Sequence, residues 1–396
     1  MDIGEHKGHG LLTVYNWKII QCTSMNILIA GDYCPQNRVL ENFENGDFLS
    51  TFGQVRELIN SADFSIVNLE CPIIIGDEKP IIKFGPNLGC SPQGIEALKW
   101  VGFDCVTLAN NHFLDYGEKG VANTLKTCSE YGLETVGGGN NLKEASAILY
   151  KNINGQTLAV INCCEHEFSI ATETSAGSNP LNPIQQYYAI RMARKNADYI
   201  LVIVHGGHEH YQLPSPRMQE TYRFFVDAGA DAVVNHHQHC FSGYEVYKSK
   251  PIFYGLGNFC FDKKEKRHGL WNEGYMVKLT LDREIEFELI PYNQCSDYPE
   301  IQLLDRAEFS KIIESLNSVI ANNKQLQHEI INYYKGCSNN YYSIFDMFEN
   351  RYMRFLHKNH FLPSFLTKKK NTAILAYIQC ESHLSKLIYA LKNRLP

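Results

Sequence analysis

Three segments decide the fold of this chain: YILVIVHGGHEH at residues 199–210, DAVVNHHQHC at 231–240 and PIFYGLGNFCFD at 251–262. Six of the 15 histidines fall between His205 and His239. Each histidine cluster directly follows a short, β-branched apolar run, which is typical of a buried strand. The histidines therefore lie at strand ends, where open parallel α/β sheets bind their ligands.

These strand-end histidines favour a metal site. His237 and His239 are two residues apart, so both imidazoles can face one ion if the chain bends after the strand or if the strand continues. A single histidine is more often solvated or hydrogen-bonded, but clusters that also contain Glu and Asn favour ligation. Imidazole together with carboxylate suits zinc, manganese or iron, so we expect one or two divalent ions of these kinds.

The same arrangement occurs earlier in the chain, where acidic and amide side chains also follow apolar runs. The run 27–30 leads into Asp32, and the run 64–69 carries Asn68 and Glu70 at its end. Both runs have the length and residue types of buried strands. The two carboxylates are therefore candidate ligands for the same site as the histidines.

The segment after the apolar run 104–109 combines a candidate ligand with a candidate proton donor. The amide oxygen of Asn111 can ligate a hard or borderline ion, and His112 can protonate a leaving group. Asp115 is close enough to orient the imidazole of His112 and raise its basicity. The alternative is an Asn-Asn turn in which Asp115 caps the following helix.

Three further segments carry weaker signals. Loop 76–90 contains Lys79 and Lys83, which are either anion contacts or, more often in such loops, solvated charges. The acids within 163–167 follow another strand and are at most neighbours of the ligands. The glycines at 137–139 lack the spacing of a dinucleotide-binding loop and predict a simple turn.

Charge is unevenly distributed along the chain. The net charge is −6, but residues 301–396 hold 13 Lys and Arg against 7 Asp and Glu, so this part carries +6 and the first 300 residues carry −12. An acidic main domain argues against nucleic acid as the chief ligand. The basic tail can meet an anionic polymer or a membrane surface, or pack against its own acidic domain.

Composition divides the chain into three parts. Residues 1–24 have no basic region followed by an apolar one, so they predict no signal peptide, and we expect them to be disordered. Residues 25–298 predict one α/β domain. A capping-box spacing from Asp305 to Glu308 opens a helical pattern, which predicts a helical extension over 299–396. No run approaches the 18 or more apolar residues that a membrane-spanning helix needs.

Thirteen cysteines are scattered along the chain with no C-x-x-C pair, and their number is odd. This pattern favours reduced thiols over a disulfide framework. We therefore expect a cytoplasmic protein, which the basic tail allows to be peripheral to the membrane. The sequence does not indicate an oligomeric state.

Taken in order, the motifs resemble the CapA/PgsA family of bacterial capsule and poly-γ-glutamate synthesis proteins. They are Gly31-Asp32, Asn68-Leu69-Glu70, Ala109-Asn110-Asn111-His112 with Asp115 and Gly117, His205-x-Gly207-x-Glu209, His236-His237-x-His239, and Lys250-Pro251-Ile252-Phe253-Tyr254-x-Leu256-Gly257-Asn258-Phe259 with Asp262. The resemblance covers residues 26–262. It implies the fold of calcineurin-like metallophosphoesterases, a β-sandwich flanked by helices with a one- or two-metal site at strand ends.

The resemblance also implies roles for individual residues. His112 would be the proton donor, oriented by Asp115. The implied metal ligands are Asp32, Glu70, Asn111, His205, His237 and His239. Residues expected around the ligands and the substrate are Asn68, Asn110, Glu209, His236 and Asn258.

Three features depart from the family pattern. Cys34 stands where the phosphoesterases have a histidine ligand, so a ligand is lost or a thiolate replaces it. Gly206 stands where the family usually has tryptophan, which changes the wall of the expected substrate pocket. Well-known members carry an N-terminal membrane anchor, and residues 1–24 do not resemble one.

The resemblance implies metal-dependent hydrolysis of a phosphoester or related bond. The partners would be a phosphorylated substrate or an anionic polymer, together with other capsule-synthesis proteins. An alternative is an accessory protein that keeps the fold and binds an anionic polymer without cleaving it. Metal-free glycan chemistry by Glu70 and Glu209 is less favoured, because it leaves the histidine clusters unexplained.

Overall fold

The computed structural model describes residues 24–83, 85–345 and 351–363, together with positions 367, 370, 371, 374 and 378. The disordered extension predicted for 1–24 lies outside the described residues except for its last position. The strands are β1 Met25–Tyr33, β2 Phe64–Leu69, β3 Cys105–Thr107, β4 Glu134–Val136, β5 Gly138–Gly139, β6 Leu149–Ile153, β7 Gln156–Cys164, β8 Gly177–Ser178, β9 Tyr199–His205, β10 Ala232–His236, β11 Tyr244–Tyr247, β12 Lys250–Phe253, β13 Asn258–Cys260, β14 Glu273–Leu281, β15 Ile285–Gln294 and β16 Ile301–Leu303. The helices are α1 Asn37–Glu44, α2 Leu49–Phe52, α3 Arg56–Asn60, α4 Gln93–Val101, α5 Gly117–Glu130, α6 Leu142–Ala145, α7 Pro183–Ala193, α8 Pro216–Ala228, α9 Arg306–Ala321, α10 Asn323–Phe345 and α11 Arg351–Lys358.

Two sheets form the centre of the fold. The first has the strand order β16-β15-β14-β1-β2-β3-β4, and β13 also pairs with β1. The second has the order β11-β12-β10-β9-β7-β6. Strands β1 to β4 run parallel, as do β7, β9, β10 and β12. The hairpin β11–β12 and the pair β14–β15 are antiparallel and lie toward the sheet edges.

The alternation of side chains along β1 shows how the layers are stacked. Ile27 and Ile29 pack into one apolar cluster with residues of the second sheet, such as Leu201 and Ile203. Leu28 and Ala30 belong to the other cluster, which contains the buried residues of the helices α1 and α4. Because successive strand residues point to opposite faces, each parallel strand is buried on both sides. The predicted α/β sandwich flanked by helices is confirmed.

The glycine run does more than form the simple turn predicted for it. Gly138 and Gly139 form β5, which pairs with β8. A Cβ atom on Gly137 would lie 1.9 Å from Oδ1 of Asn162, and one on Gly138 would lie 2.5 Å from the ring of Phe113. The backbone can approach this closely only without side chains, and it thereby supports the loop that carries the Asn-Asn-His motif.

The chain divides into two compact units, of which the first ends at Ala321 and the second begins at Asn322. Helix α9 belongs to the first unit, where the ring of Phe309 lies 4.9 Å from Phe241 and 5.8 Å from Tyr275. In the second unit α10 is followed by α11. The helical extension over 299–396 stays a prediction, since β16 within this range joins the first sheet and α9 packs with the α/β domain.

None of the described helices is both long and apolar enough to cross a lipid bilayer. Ten cysteines are buried free thiols, at positions 34, 71, 90, 105, 128, 163, 164, 240, 260 and 295. In this structure they act as small apolar side chains of the core.

Candidate metal centre

The parallel strands place the predicted polar residues at one edge of both sheets. In the first sheet Asp32 of β1 is in register with Asn68 of β2 and with Asn258 of β13. In the second sheet His236 of β10 is in register with His205 of β9. The carboxyl ends of these strands therefore meet in one buried crevice, as expected for open α/β sheets.

One group of candidate ligands consists of Glu70, His205 and His237, whose donor atoms all lie within 4.8 Å of one another. Nε2 of His205 is 3.7 Å from Oε1 of Glu70 and 3.1 Å from Nδ1 of His237. The same Nε2 is 3.1 Å from Oδ1 of Asn111, the fourth predicted ligand at this position. Two imidazoles, a carboxylate and an amide oxygen thus converge on one point.

A second group consists of Asp32, Glu70 and His239, again within 4.8 Å of one another. Nε2 of His239 is 3.5 Å from Oε1 of Glu70. Its Nδ1 is 2.9 Å from Oδ1 of Asn258, an oxygen that can only accept a hydrogen bond. Asn258 therefore holds the proton on Nδ1 and leaves the Nε2 lone pair free to bind a cation.

His237 and His239 belong to different candidate groups, although their spacing in the sequence allows both to face one ion. Their φ angles are 93° and 52°, so both residues have left-handed backbone. In an extended strand residues two apart share a face, and positive φ values abolish that relation. Such backbone is strained for histidine, and the bond from the His237 amide to Oδ2 of Asp32, at 3.2 Å, helps to hold it.

Glu70 is common to both groups, and it provides the test of whether a cation fits. It is fully buried, neither carboxylate oxygen receives a hydrogen bond from an amide, hydroxyl or cationic group of the described residues, and its polar neighbour is a second acid, Asp32. Burial raises the pKa of Glu70 well above its usual range, and the nearby charge of Asp32 raises it further. A buried carboxylate without partners is costly, and a cation bound by both groups would satisfy both oxygens.

The pKa values of the other candidate ligands are compatible with binding a cation. Burial raises the pKa of Asp32 to about 6, against the opposing effect of the Asn68 hydrogen bond. Burial lowers the pKa of His205 and of His239 well below the usual range, so both are neutral at physiological pH. Neutral imidazole and ionised carboxylate are the forms that bind metal. The residues therefore fit one or two divalent ions.

Metal affinity should fall as the pH decreases, because protons compete for Glu70, whose pKa is raised well above its usual range, and below about pH 6 also for Asp32. The two buried imidazoles should remain neutral in this range, so they should not be the first groups to release metal. We expect the dissociation constant of Zn²⁺, measured by chelator competition, to rise at least about tenfold per pH unit below about pH 6. An affinity that is constant down to about pH 5 would contradict the assignment of Asp32 as a ligand.

Two asparagines connect the ligands to the sheet. Nδ2 of Asn68 donates to Oδ1 of Asp32 at 2.8 Å, and Oδ1 of Asn68 accepts from Thr107 Oγ1 at 3.2 Å. Nδ2 of Asn110 donates to the carbonyl of Leu69 at 2.8 Å, and its Oδ1 accepts from the amide of His112 at 3.1 Å. Both predicted neighbours of the site therefore orient residues on adjoining strand ends.

His112 is held by a buried ion pair. Its Nδ1 is 2.6 Å from Oδ2 of Asp115, and Nζ of Lys83 is 2.5 Å from the other carboxylate oxygen. Asp115 does not cap α5, since the residue before that helix is Tyr116 and no side chain caps it. The Lys83 side chain is only 2% exposed, so the interpretation as a solvated charge is wrong for this lysine, whereas Lys79 is exposed.

Replacing Lys83 with methionine should destabilise the protein by about 3–5 kcal/mol, because it leaves the buried carboxylate of Asp115 without its cation. The free energy of unfolding can be measured by urea denaturation of the metal-free protein. The control is Arg217→Met, which removes a surface pair with Glu220 whose side chains are 76% and 75% exposed. Equal, small effects of both substitutions would mean that the buried pair does not stabilise this loop.

Other predicted residues lie at the margin of the centre. His236 is buried with Nδ1 3.5 Å from Oδ1 of Asp32, and burial lowers its pKa to about 3. Glu209 is exposed on the loop after β9, so its role in orienting a ligand stays a prediction. Sequence reasoning underrated Glu167, whose Oε1 is 3.7 Å from Nε2 of His237 and whose Oε2 accepts from Asn111 at 3.2 Å. Its position after strand β7 was the available signal.

The structure shows the surroundings of two of the three departures from the family pattern, Cys34 and Gly206. Cys34 packs in the apolar cluster on the helix side of the first sheet, and burial raises its pKa to about 11. Neither candidate ligand group among the described residues includes Cys34. A Cβ atom on Gly206 would lie 2.7 Å from Cγ of Glu165, so this acid occupies the space beside the glycine.

Comparison with known proteins agrees with the sequence motifs. The family described as "Bacterial capsule synthesis protein PGA_cap" matches residues 26–263. A "Capsule biosynthesis protein CapA" of Bacillus anthracis is 37% identical over 247 residues, which cover 60% of this chain and 60% of that protein. A "PGA biosynthesis protein CapA" of Bacillus subtilis (strain 168) is 32% identical over 217 residues, covering 54% of this chain and 57% of that protein. The match thus spans less than two thirds of either relative.

Among solved structures, a 5'-nucleotidase from Candida albicans SC5314 aligns with a TM-score of 0.40 at 13% identity, covering 79% of this chain and 57% of that one. The family match includes every residue of both ligand groups and extends over more than half of the chain. The chain therefore belongs to the family of bacterial capsule synthesis proteins described as PGA_cap.

Proposed function

We propose that this protein is a metal-dependent hydrolase that acts on a phosphoester-type bond during the synthesis of a capsule or poly-γ-glutamate polymer. The observation that carries the proposal is the buried, unpartnered carboxylate of Glu70 between two groups of imidazole and carboxylate donors. The names of the relatives from the two Bacillus species support the biological setting.

The candidate ligands would form two metal-binding groups. Asp32, Glu70 and His239 would hold one ion, and Glu70, His205 and His237, with Asn111, would hold the other. Bound divalent ions supply charge stabilisation for the transferred group and lower the pKa of water.

A separate residue would handle the leaving group. His112, whose Nδ1 is bound to Asp115, would give a proton from Nε2 to the leaving oxygen. The Asp115 carboxylate would keep the imidazole in this orientation, as the second partner of a catalytic histidine commonly does.

The first experiment is elemental analysis of the purified protein by inductively coupled plasma mass spectrometry, beside the double variant His237→Ala/His239→Ala. We expect about one to two equivalents of zinc, manganese or iron in the native protein, and none in the variant. His268→Ala removes a histidine whose side chain is 74% exposed and should retain the metal. A native protein without metal, even after reconstitution, would overturn the proposal.

The second candidate function is that of an accessory protein that binds an anionic polymer without cleaving it. The charge of +6 on residues 301–396 favours it. This function is favoured over the first if the metal-loaded protein hydrolyses no phosphoester. Its binding to the polymer should also remain after a chelator removes the metal.

A further inference from the structure

The turn between β13 and β14 places two lysines beside one tryptophan ring. Nζ of Lys263 lies 5.0 Å from the centroid of Trp271, and Nζ of Lys266 lies 4.3 Å from it. Both distances are within the range of cation–π attraction. The amide of Lys266 also donates to the carbonyl of Lys263 at 3.0 Å, which closes the turn. Both ammonium groups are therefore held against the same tryptophan ring before any ligand binds.

The tryptophan that supports the lysines is itself rigid. It is 6% exposed, and its Nε1 donates to the carbonyl of Phe261 at 3.0 Å. Its own carbonyl accepts from Asn258 at 3.0 Å and from Gln294 at 3.0 Å. Asn258 is also the partner of His239, so the turn and the metal centre share a supporting residue.

A single aromatic ring, that of Trp271, separates the lysine pair from one metal-binding group. The ring of Trp271 is 4.9 Å from the ring of His239. Nζ of Lys266 is 2.9 Å from Nε2 of His210, whose ring is 6.0 Å from His239. An anionic group at the lysines would thus be one aromatic ring away from a reacting group at the metal centre.

The charge of this pair is not neutralised by a carboxylate in direct contact. In the same turn Arg267 pairs with Asp262, which also binds Arg38 at 2.9 Å. No such ion pair is formed by Lys263 or Lys266 among the residues that the structure describes. Burial and the charge of Lys263 lower the pKa of Lys266, and Glu209 opposes this only in part. Two ammonium groups without a contacting carboxylate, near the buried crevice, create a local positive potential that favours an anion.

We propose that Lys263 and Lys266, supported by Trp271, form a subsite for a second anionic group of an extended substrate whose reacting group lies at the Glu70 centre. The inference rests on the proposed function. The substrate class is a linear oligomer with anionic groups, carboxylate or phosphate, at regular intervals. A small phosphoester would occupy the metal centre alone and would not reach the lysines.

The test compares the native metal-loaded protein with Lys263→Met/Lys266→Met by isothermal titration calorimetry. The probes are a γ-linked glutamate oligomer, an inorganic polyphosphate of similar length and an uncharged γ-linked glutamine oligomer. We expect the double variant to bind at least one of the anionic probes about 10- to 100-fold more weakly, and the uncharged oligomer not to bind either protein. Lys264→Met, an exposed lysine of the same turn, should bind like the native protein.

The outcomes separate the subsite from the proposed function. The double variant should keep its metal and its thermal unfolding temperature, and it should hydrolyse a small phosphoester like the native protein. Equal affinity of native protein and double variant for both anionic probes would overturn the subsite. The protein could instead hold no metal and hydrolyse no phosphoester, yet bind an oligomer through the two lysines. That result would support the proposed subsite and overturn the proposed hydrolase function.

Discussion

His112→Ala should lower turnover of a phosphoester by about 10²- to 10⁴-fold while the metal content stays unchanged. The imidazole is bound at Nδ1 by Asp115, at 2.6 Å, so only Nε2 is available to a substrate. His112 is not a member of either candidate ligand group, so its substitution leaves both groups complete. The loss should therefore fall on proton transfer alone.

Leaving-group dependence makes this prediction specific. An aryl ester with an acidic leaving group needs little protonation, whereas an alkyl ester needs it for departure. The deficit of His112→Ala should thus be much larger for the alkyl ester than for the aryl ester. His268→Ala, at an exposed histidine, is the control and should have native rates. Equal deficits for the two esters would remove His112 from the role of acid.

Glu70→Gln should abolish metal binding at both groups, because this residue is the ligand that they share. The substitution keeps the shape of the side chain and removes its charge. Affinity should fall by more than the about 10- to 100-fold that is typical for residues around a metal ligand. Hydrolysis should disappear with the metal.

In the absence of metal, the substitution Glu70→Gln should not lower the stability of the protein. Burial raises the pKa of Glu70 well above its usual range, which means that the folded state disfavours the ionised carboxylate. Glu70→Gln should therefore be at least as stable as the native protein without metal. Metal at about 100 times its dissociation constant should stabilise the native protein by about 2.7 kcal/mol and leave the variant unchanged.

Thermal unfolding with and without Zn²⁺ measures both effects in one experiment. The control is Glu265→Gln, at an exposed acid of the turn after β13, which should shift with metal like the native protein. A metal-dependent shift in Glu70→Gln equal to that of the native protein would show that Glu70 does not bind the ion.

Much of the fold could be predicted from local patterns. The apolar runs before Asp32, Glu70 and His205 are short and rich in β-branched residues, and each is a parallel strand buried on both faces. Such strands require cover on two sides, which implies helices or a second sheet on each face. The Asp115–His112 contact was also predictable, because a separation of three residues in a turn brings the side chains together.

Which histidine belongs to which ligand group could not be predicted from local patterns. The spacing of His237 and His239 allows both to face one ion, whereas the structure, in which both have left-handed backbone, places them in different candidate groups. That conformation depends on a bond from the His237 amide to Asp32, which is 205 residues away in the chain. Spacing along a strand carries no information about such a contact.

The sequence by itself determined which residue types follow the strands, and hence that acids, amides and imidazoles meet at one edge of the sheets. Only the tertiary structure decided that Glu70 is shared by both groups and that Lys83 is buried against Asp115. The physical reason is that strand periodicity is a local property of the backbone. Burial and the choice of ion-pair partner depend on loops that fold over the strand ends from distant parts of the chain.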